Sequence, residues 1–157
     1  MHPRAAEFAA RADAEHGLEI EIQEFPEGTK TAVDAAGAIG CDVSRIASSL
    51  VFRAPGPVVV VASGANRVSE GKLAEVVEVP EGEVETASAE EIGERLGWSI
   101  GGVPPFCHDE QVPVYLDETL RGFDEVWAAA GTPQAVFAVS PGTIREITGA
   151  EIVDVAE

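Results

Sequence analysis

The chain has 157 residues, with 28 acids against 10 bases and a formal net charge of −18. That length suits one domain, and 45% apolar residues with a mean hydropathy of +0.08 argue for a packed core and against disorder. Two cysteines are too few for a disulfide framework and are expected reduced.

Residues 1–17 lack the apolar stretch of a signal peptide, and the longest uncharged run, 126–144, is broken by Gly131, Pro133, Pro141 and Gly142. The expectation is a cytoplasmic protein with no membrane partner.

In chain order, residues 5–15 read as an alanine-rich helix with Phe8 on its apolar face. Residues 18–25 alternate strictly and predict a half-buried strand, followed by a turn at 26–28. Thr31, with Asp34 three residues later, caps a helix that Gly40 ends. Ser44 is expected to cap a further short turn. Residues 48–53 and 58–62, joined by Ala-Pro-Gly-Pro, predict adjacent antiparallel strands. Four consecutive valines, 58 to 61, imply a strand covered on both faces at the centre of the sheet.

Ser69 opens a helix through Leu73 to Val77, and Ser88-Ala-Glu-Glu91 opens another that stops at Gly97. A long loop, 98–111, precedes strands at 112–116, 125–129 and 135–139. Ser140-Pro141 then starts the last helix. Strands outnumber helices, and hairpin-length loops join several of them. The fold class is α+β with a mixed sheet, not a regular βαβ winding.

The acids are spread along the chain, which suits a protein working in molar salt, where screening shortens the Debye length to about 3 Å; an ordinary acidic protein is the alternative. Residues 30–72 hold five bases and three acids, whereas the remainder holds five bases and 25 acids. A polyanionic partner would meet the former stretch; chance clustering of few charges is the plainer alternative.

Standard catalytic signatures are absent: no phosphate-binding loop, dinucleotide fingerprint, HExxH, CxxC or GxSxG. Three histidines and two cysteines are scattered, so neither a metal nor another cofactor is expected. Cys107-His108 invites a nucleophile reading, but neighbours in an extended loop point to opposite sides; a small buried cysteine is the plainer alternative. The informative stretch is Gly101-Gly-Val-Pro-Pro105. Its glycines expose backbone N–H groups and its prolines stiffen the bend, an arrangement able to hold amides toward a developing oxyanion. A tight turn without chemistry has the same composition.

Three segments together resemble the YbaK/prolyl-tRNA-synthetase-associated editing domain family. They are Thr31-Ala-Val-Asp-Ala-Ala leading to Arg45-Ile-Ala-Ser-Ser-Leu-Val-Phe-Arg53, the Gly101-Gly-Val-Pro-Pro105 bend as a GxxxP loop, and Phe123 through Pro141. The likeness spans about residues 19–156. It implies a single domain, 1–157, with a mixed, barrel-like sheet and peripheral helices. It also implies hydrolysis of the ester joining a wrong amino acid to the tRNA acceptor end, where a second, size-selecting pocket restores accuracy.

Carried over by position, Gly101 would supply backbone contacts to the carbonyl or the attacking water. Gly102, Val103, Pro104, Pro105 and Phe106 would shape the aminoacyl pocket, and Thr31, Gly131 and Thr132 would line it. Ser48 stands where the family carries a lysine, so it would offer the terminal nucleotide a neutral hydrogen bond in place of a charge. Position 107 is Cys where the family commonly has Gly. In this version backbone amides position water, and the substrate's ribose hydroxyl helps move the proton. Two alternatives stay open: a binding module that lost catalysis with the lysine, and a Cys107-dependent enzyme.

Overall fold

The computed structural model describes residues 1–25 and 31–157. Helix α1 (Pro3–His16) starts with proline at its first position and with His2 Nδ1 accepting the Arg4 N–H at 3.1 Å. It buries Ala5, Phe8 and Ala12, one stripe at helical spacing. Strand β1 (Ile22–Glu24) follows. The turn expected at 26–28 lies outside the described residues. Helix α2 (Ala32–Ile39) begins where Thr31 Oγ1 accepts the Asp34 N–H at 3.0 Å, and Gly40 ends it at φ 86°.

Next come β2 (Ile46–Arg53) and β3 (Pro57–Ser63), then α3 (Glu70–Val77), capped by Ser69. Strand β4 (Glu85–Thr86) precedes α4 (Ala89–Leu96), capped by Ser88 and closed by Gly97 at φ 84°. The chain finishes with β5 (Val114–Asp117), β6 (Val126–Ala129), β7 (Ala135–Val139), α5 (Pro141–Thr148) and β8 (Glu151–Val153).

These strands form one mixed sheet in the order β1-β7-β6-β2-β3-β5-β8, with β4 also on β2. The pairs β2/β6, β3/β5 and β5/β8 are parallel; the others are antiparallel. The α+β class and mixed sheet match the expectation. The barrel does not close, because β1 and β8 end the path and pair with one neighbour each.

Every residue of β3 is buried. Val59 and Val61 pack into a large core with Phe8, Trp98, Phe106 and Phe137, whereas Val58 and Val60 pack into a second core with Leu73, Ala74 and Phe52. The four valines thus divide between two faces, each contributing about 1.5–3 kcal/mol of burial. A third, small cluster joins Ala35 and Ala36 of α2 to Ile46.

Three local expectations change. The alternation at 18–25 yields a ladder only at Ile22–Glu24, where Ile22 faces Phe137 and Glu24 faces Ala135. Leu18, Ile20 and Ile22 still pack on the main core, so the alternation reports facing without strand pairing. The short turn after Gly40 is capped by Asp42, which accepts the Ser44 N–H at 2.9 Å; Ser44 is the donor. Strands β4 and β8, of two and three residues, are too short to leave a periodic signature.

Candidate active site

Strand β2 pairs with β3 from Ala47 opposite Ser63 to Arg53 opposite Pro57. Its other edge meets β6 only at Ile46 and Ala47, and β4 only at Phe52 and Arg53. Residues 48–51 therefore have no strand partner on that edge among the described residues. The Ile46 carbonyl accepts from Gly64 on the β3 side, and the Val51 carbonyl accepts from Ala87 on the other. Peptide directions alternate along a strand, so the Ser49 N–H and C=O turn toward the gap.

A cavity of about 270 Å³ occupies this seam. Its floor is β2, and its walls are the start of α2 (Thr31, Ala32, Ala35), the loop at Ile100, Gly101 and Val103, and β6 at Trp127, Ala128 and Ala129. None of the described lining residues is ionisable. Among the described residues the site thus offers main-chain groups, serine, threonine and tryptophan side chains and apolar walls, but no acid or base.

The structure brings Thr31, Ser48, Gly101 and Val103 together around the cavity. Gly101 is exposed at φ 85°, a left-handed conformation that suits glycine. Neither its N–H nor that of Val103 donates to another described residue. The Thr31 hydroxyl oxygen caps α2, which leaves its proton to donate. Ser48 is half-buried, with Ala62 opposite it on β3.

The remaining candidates do not line the cavity. The Gly102 N–H donates to the Ser99 carbonyl at 2.9 Å, and a Cβ there would lie 2.7 Å from Thr132 Cα. Gly102 therefore serves close loop-to-loop packing. Gly131, at φ 90°, fits against Arg4 O and the Trp98 ring, each 2.8 Å from where a Cβ would stand. Phe106 belongs to an aromatic cluster, 5.5 Å from Phe8 and 5.9 Å from Phe137 between ring centroids. Pro104 and Pro105 are buried, and the Pro104 carbonyl lies 2.8 Å from His108 Nε2.

Cys107 and His108 also stand apart from the cavity. Burial, with Glu15 as a lesser cause, pushes the Cys107 thiol up to about 11, so it stays protonated near neutrality. Burial holds His108 below the usual imidazole range, outweighing the Pro104 contact. One ligand atom each from Glu15, His16 and Cys107 falls within 4.8 Å of the others, but Glu15 already pairs with Arg11 at 2.8 Å.

Sequence reasoning missed Ser49. It lines the cavity, and its hydroxyl is buried without a hydrogen-bond partner among the described residues. The signal was a serine doublet inside an otherwise apolar strand. The basic stretch is also less free than its composition suggests. Arg53 pairs with Glu85 and Glu91, Arg67 with Glu157, and Lys72 with Asp154. Arg45 alone of the described bases there makes no ion pair; its guanidinium lies over Phe123 at 4.6 Å.

Among the described residues no helix is long and apolar enough to cross a membrane. Against known proteins, a family model described as aminoacyl-tRNA editing domain matches residues 26–147. The uncharacterized protein YwhH of Bacillus subtilis (strain 168) is 32% identical over 138 residues, covering 85% of each chain. The proline–tRNA ligase of Bacillus pumilus (strain SAFR-032) is 30% identical over 87% of this chain, which spans 24% of that ligase. A crystal structure of a candidate trans-editing enzyme for prolyl tRNA synthetase superposes with a TM-score of 0.91 at 38% identity, covering 100% of this chain and 99% of that one.

Proposed function

The chain belongs to the aminoacyl-tRNA editing domain family, and from that premise we propose that it hydrolyses the ester of mischarged aminoacyl-tRNA in trans, with water held by main-chain amides. The observation that carries this reading is the cavity at the seam of β2, whose described lining is uncharged and includes Gly101, whose N–H donates to no described residue. A solved neighbour described as a trans-editing enzyme, 38% identical to this chain, supports the reading of action in trans.

In this mechanism water attacks the ester carbonyl carbon. The carbonyl oxygen gains charge, and a well-aimed amide donor there contributes about 3 kcal/mol, or a hundredfold or more in kcat. The bond to the ribose oxygen then breaks, and that oxygen takes up a proton, releasing free amino acid and the tRNA 3′ hydroxyl. The described lining supplies no general base, so the neighbouring ribose hydroxyl or a second water relays the proton. Thr31 and Ser48 contribute neutral hydrogen bonds at the entrance, and the tRNA acceptor end is the partner. The exposed apolar residues Leu50 and Ile100 both line the cavity, where a terminal base has surface to rest on.

The test is a panel of mischarged tRNAs (Ala, Ser and Cys on tRNA-Pro; Ser or Gly on tRNA-Ala) assayed with wild type and Ser48→Lys. Cleavage of at least one ester by wild type is expected, with a lower KM and little change in kcat for Ser48→Lys, since a restored cation grips phosphate. Binding of aminoacyl-tRNA without cleavage at low or molar KCl would replace the enzyme by a binding module. Ser48 in the lysine position is the feature that favours that second reading.

A further inference from the structure

The seam of β2 holds a polar group that the protein itself leaves unused. Ser49 lines the cavity, and its hydroxyl is buried and meets no donor or acceptor among the described residues. Such an orphan is costly, because its hydrogen bonds to water are lost and not replaced.

Its position is set by the strand. Side chains alternate along β2, so Ser49 shares a face with Ala47 and Val51. Both belong to the main core with Ile92, Val103 and Ala128, which line the cavity too. The hydroxyl thus stands at the inner, apolar end. Leu50, 38% exposed, and Ile100, 58% exposed, mark the mouth.

An aminoacyl ester carries three kinds of polar group. Its α-ammonium does not suit the inner end, since no described lining residue is ionisable and a buried, unpaired cation costs far more than a neutral hydroxyl. Its ester belongs beside Gly101. The side chain remains. We propose that Ser49 is a specificity-determining residue, its buried hydroxyl pairing with the hydroxyl of a seryl group and discriminating against the alanyl group that lacks one. A site with its own polar group rejects the apolar analogue because that group is then left unpaired.

This inference rests on the editing reading above, but its test does not need turnover. The probes are 3′-seryl and 3′-alanyl amides of 3′-amino-3′-deoxyadenosine, which cannot be hydrolysed like the ester, titrated calorimetrically into wild type and Ser49→Ala. The seryl amide is expected to bind wild type about tenfold more tightly, the scale of one neutral buried hydrogen bond. In Ser49→Ala the two amides should bind within about twofold of each other, mainly through loss of seryl affinity. The free variant should melt no lower than wild type, because it loses an unpaired polar group.

Equal binding of both amides to wild type would overturn the proposal. So would equal weakening of both by Ser49→Ala, which would put the hydroxyl on the shared ammonium or nucleoside. A seryl preference together with failure to cleave any ester would sink the editing reading and leave Ser49 in its role. Failure of both amides to bind would overturn both.

Discussion

Replacing Gly101 in two ways separates its amide from its backbone shape. At φ 85° an alanine is strained, but its Cβ would meet Pro133 Cγ at 3.5 Å, an ordinary contact. Gly101→Ala therefore keeps the N–H at a cost of about 1–2 kcal/mol of left-handed strain. For a chain of this size that lowers Tm by about 2–8 °C. Gly101→Pro removes the N–H and also demands φ near −65°, so the bend must rebuild.

If that amide stabilises the oxyanion, single-turnover deacylation at saturating enzyme should fall at least about a hundredfold in Gly101→Pro and stay within about fivefold of wild type in Gly101→Ala. Tm and circular dichroism establish that both variants are folded. A proline variant with the wild-type rate would refute the amide's role. An alanine variant as slow as the proline one would assign the effect to loop shape instead.

Other consequences follow from the same structure. Phe8→Ala empties the centre of the Trp98, Phe106 and Phe137 cluster and should cost about 3–5 kcal/mol, read as a large drop in urea midpoint at unchanged m. With the thiol pushed up to about 11, alkylation of Cys107 near neutral pH should be slow in the folded protein and leave deacylation unchanged; inactivation that tracks labelling would contradict this. Burial holds His108 below the ordinary imidazole range, so unfolded chains bind the proton first. Its contribution to stability should be complete above about pH 6.5 and decline as pH falls, and His108→Gln should flatten that part of a Tm–pH curve. With a net charge of −18, self-repulsion should relax with salt, and Tm should rise between 0.1 and 2 M KCl.

How far the sequence could be read depended on whether a feature acts locally. The caps at Thr31, Ser69, Ser88 and Ser140 are legible because each serves an N–H three residues on. The four valines of β3 announce a doubly covered strand for the same kind of reason. Pairing is not local: the alternation at 18–25 shows which side chains face inward, yet only β7's register decides that three residues join the ladder. Thr31, Ser48, Gly101 and Val103 line one cavity. Gly102, Gly131 and Phe106 fill space between loops and rings, a use of glycine and aromatic residues that composition does not separate from ligand contact. Ser49 escaped because a serine doublet on an alternating strand does not say which hydroxyl is buried.

The most direct measurement is release of free amino acid from mischarged tRNA by the protein alone, timed against spontaneous hydrolysis of the same ester. Faster release that scales with protein concentration is the predicted result. An unchanged ester half-life on tRNA that is demonstrably bound would contradict catalysis at the β2 seam.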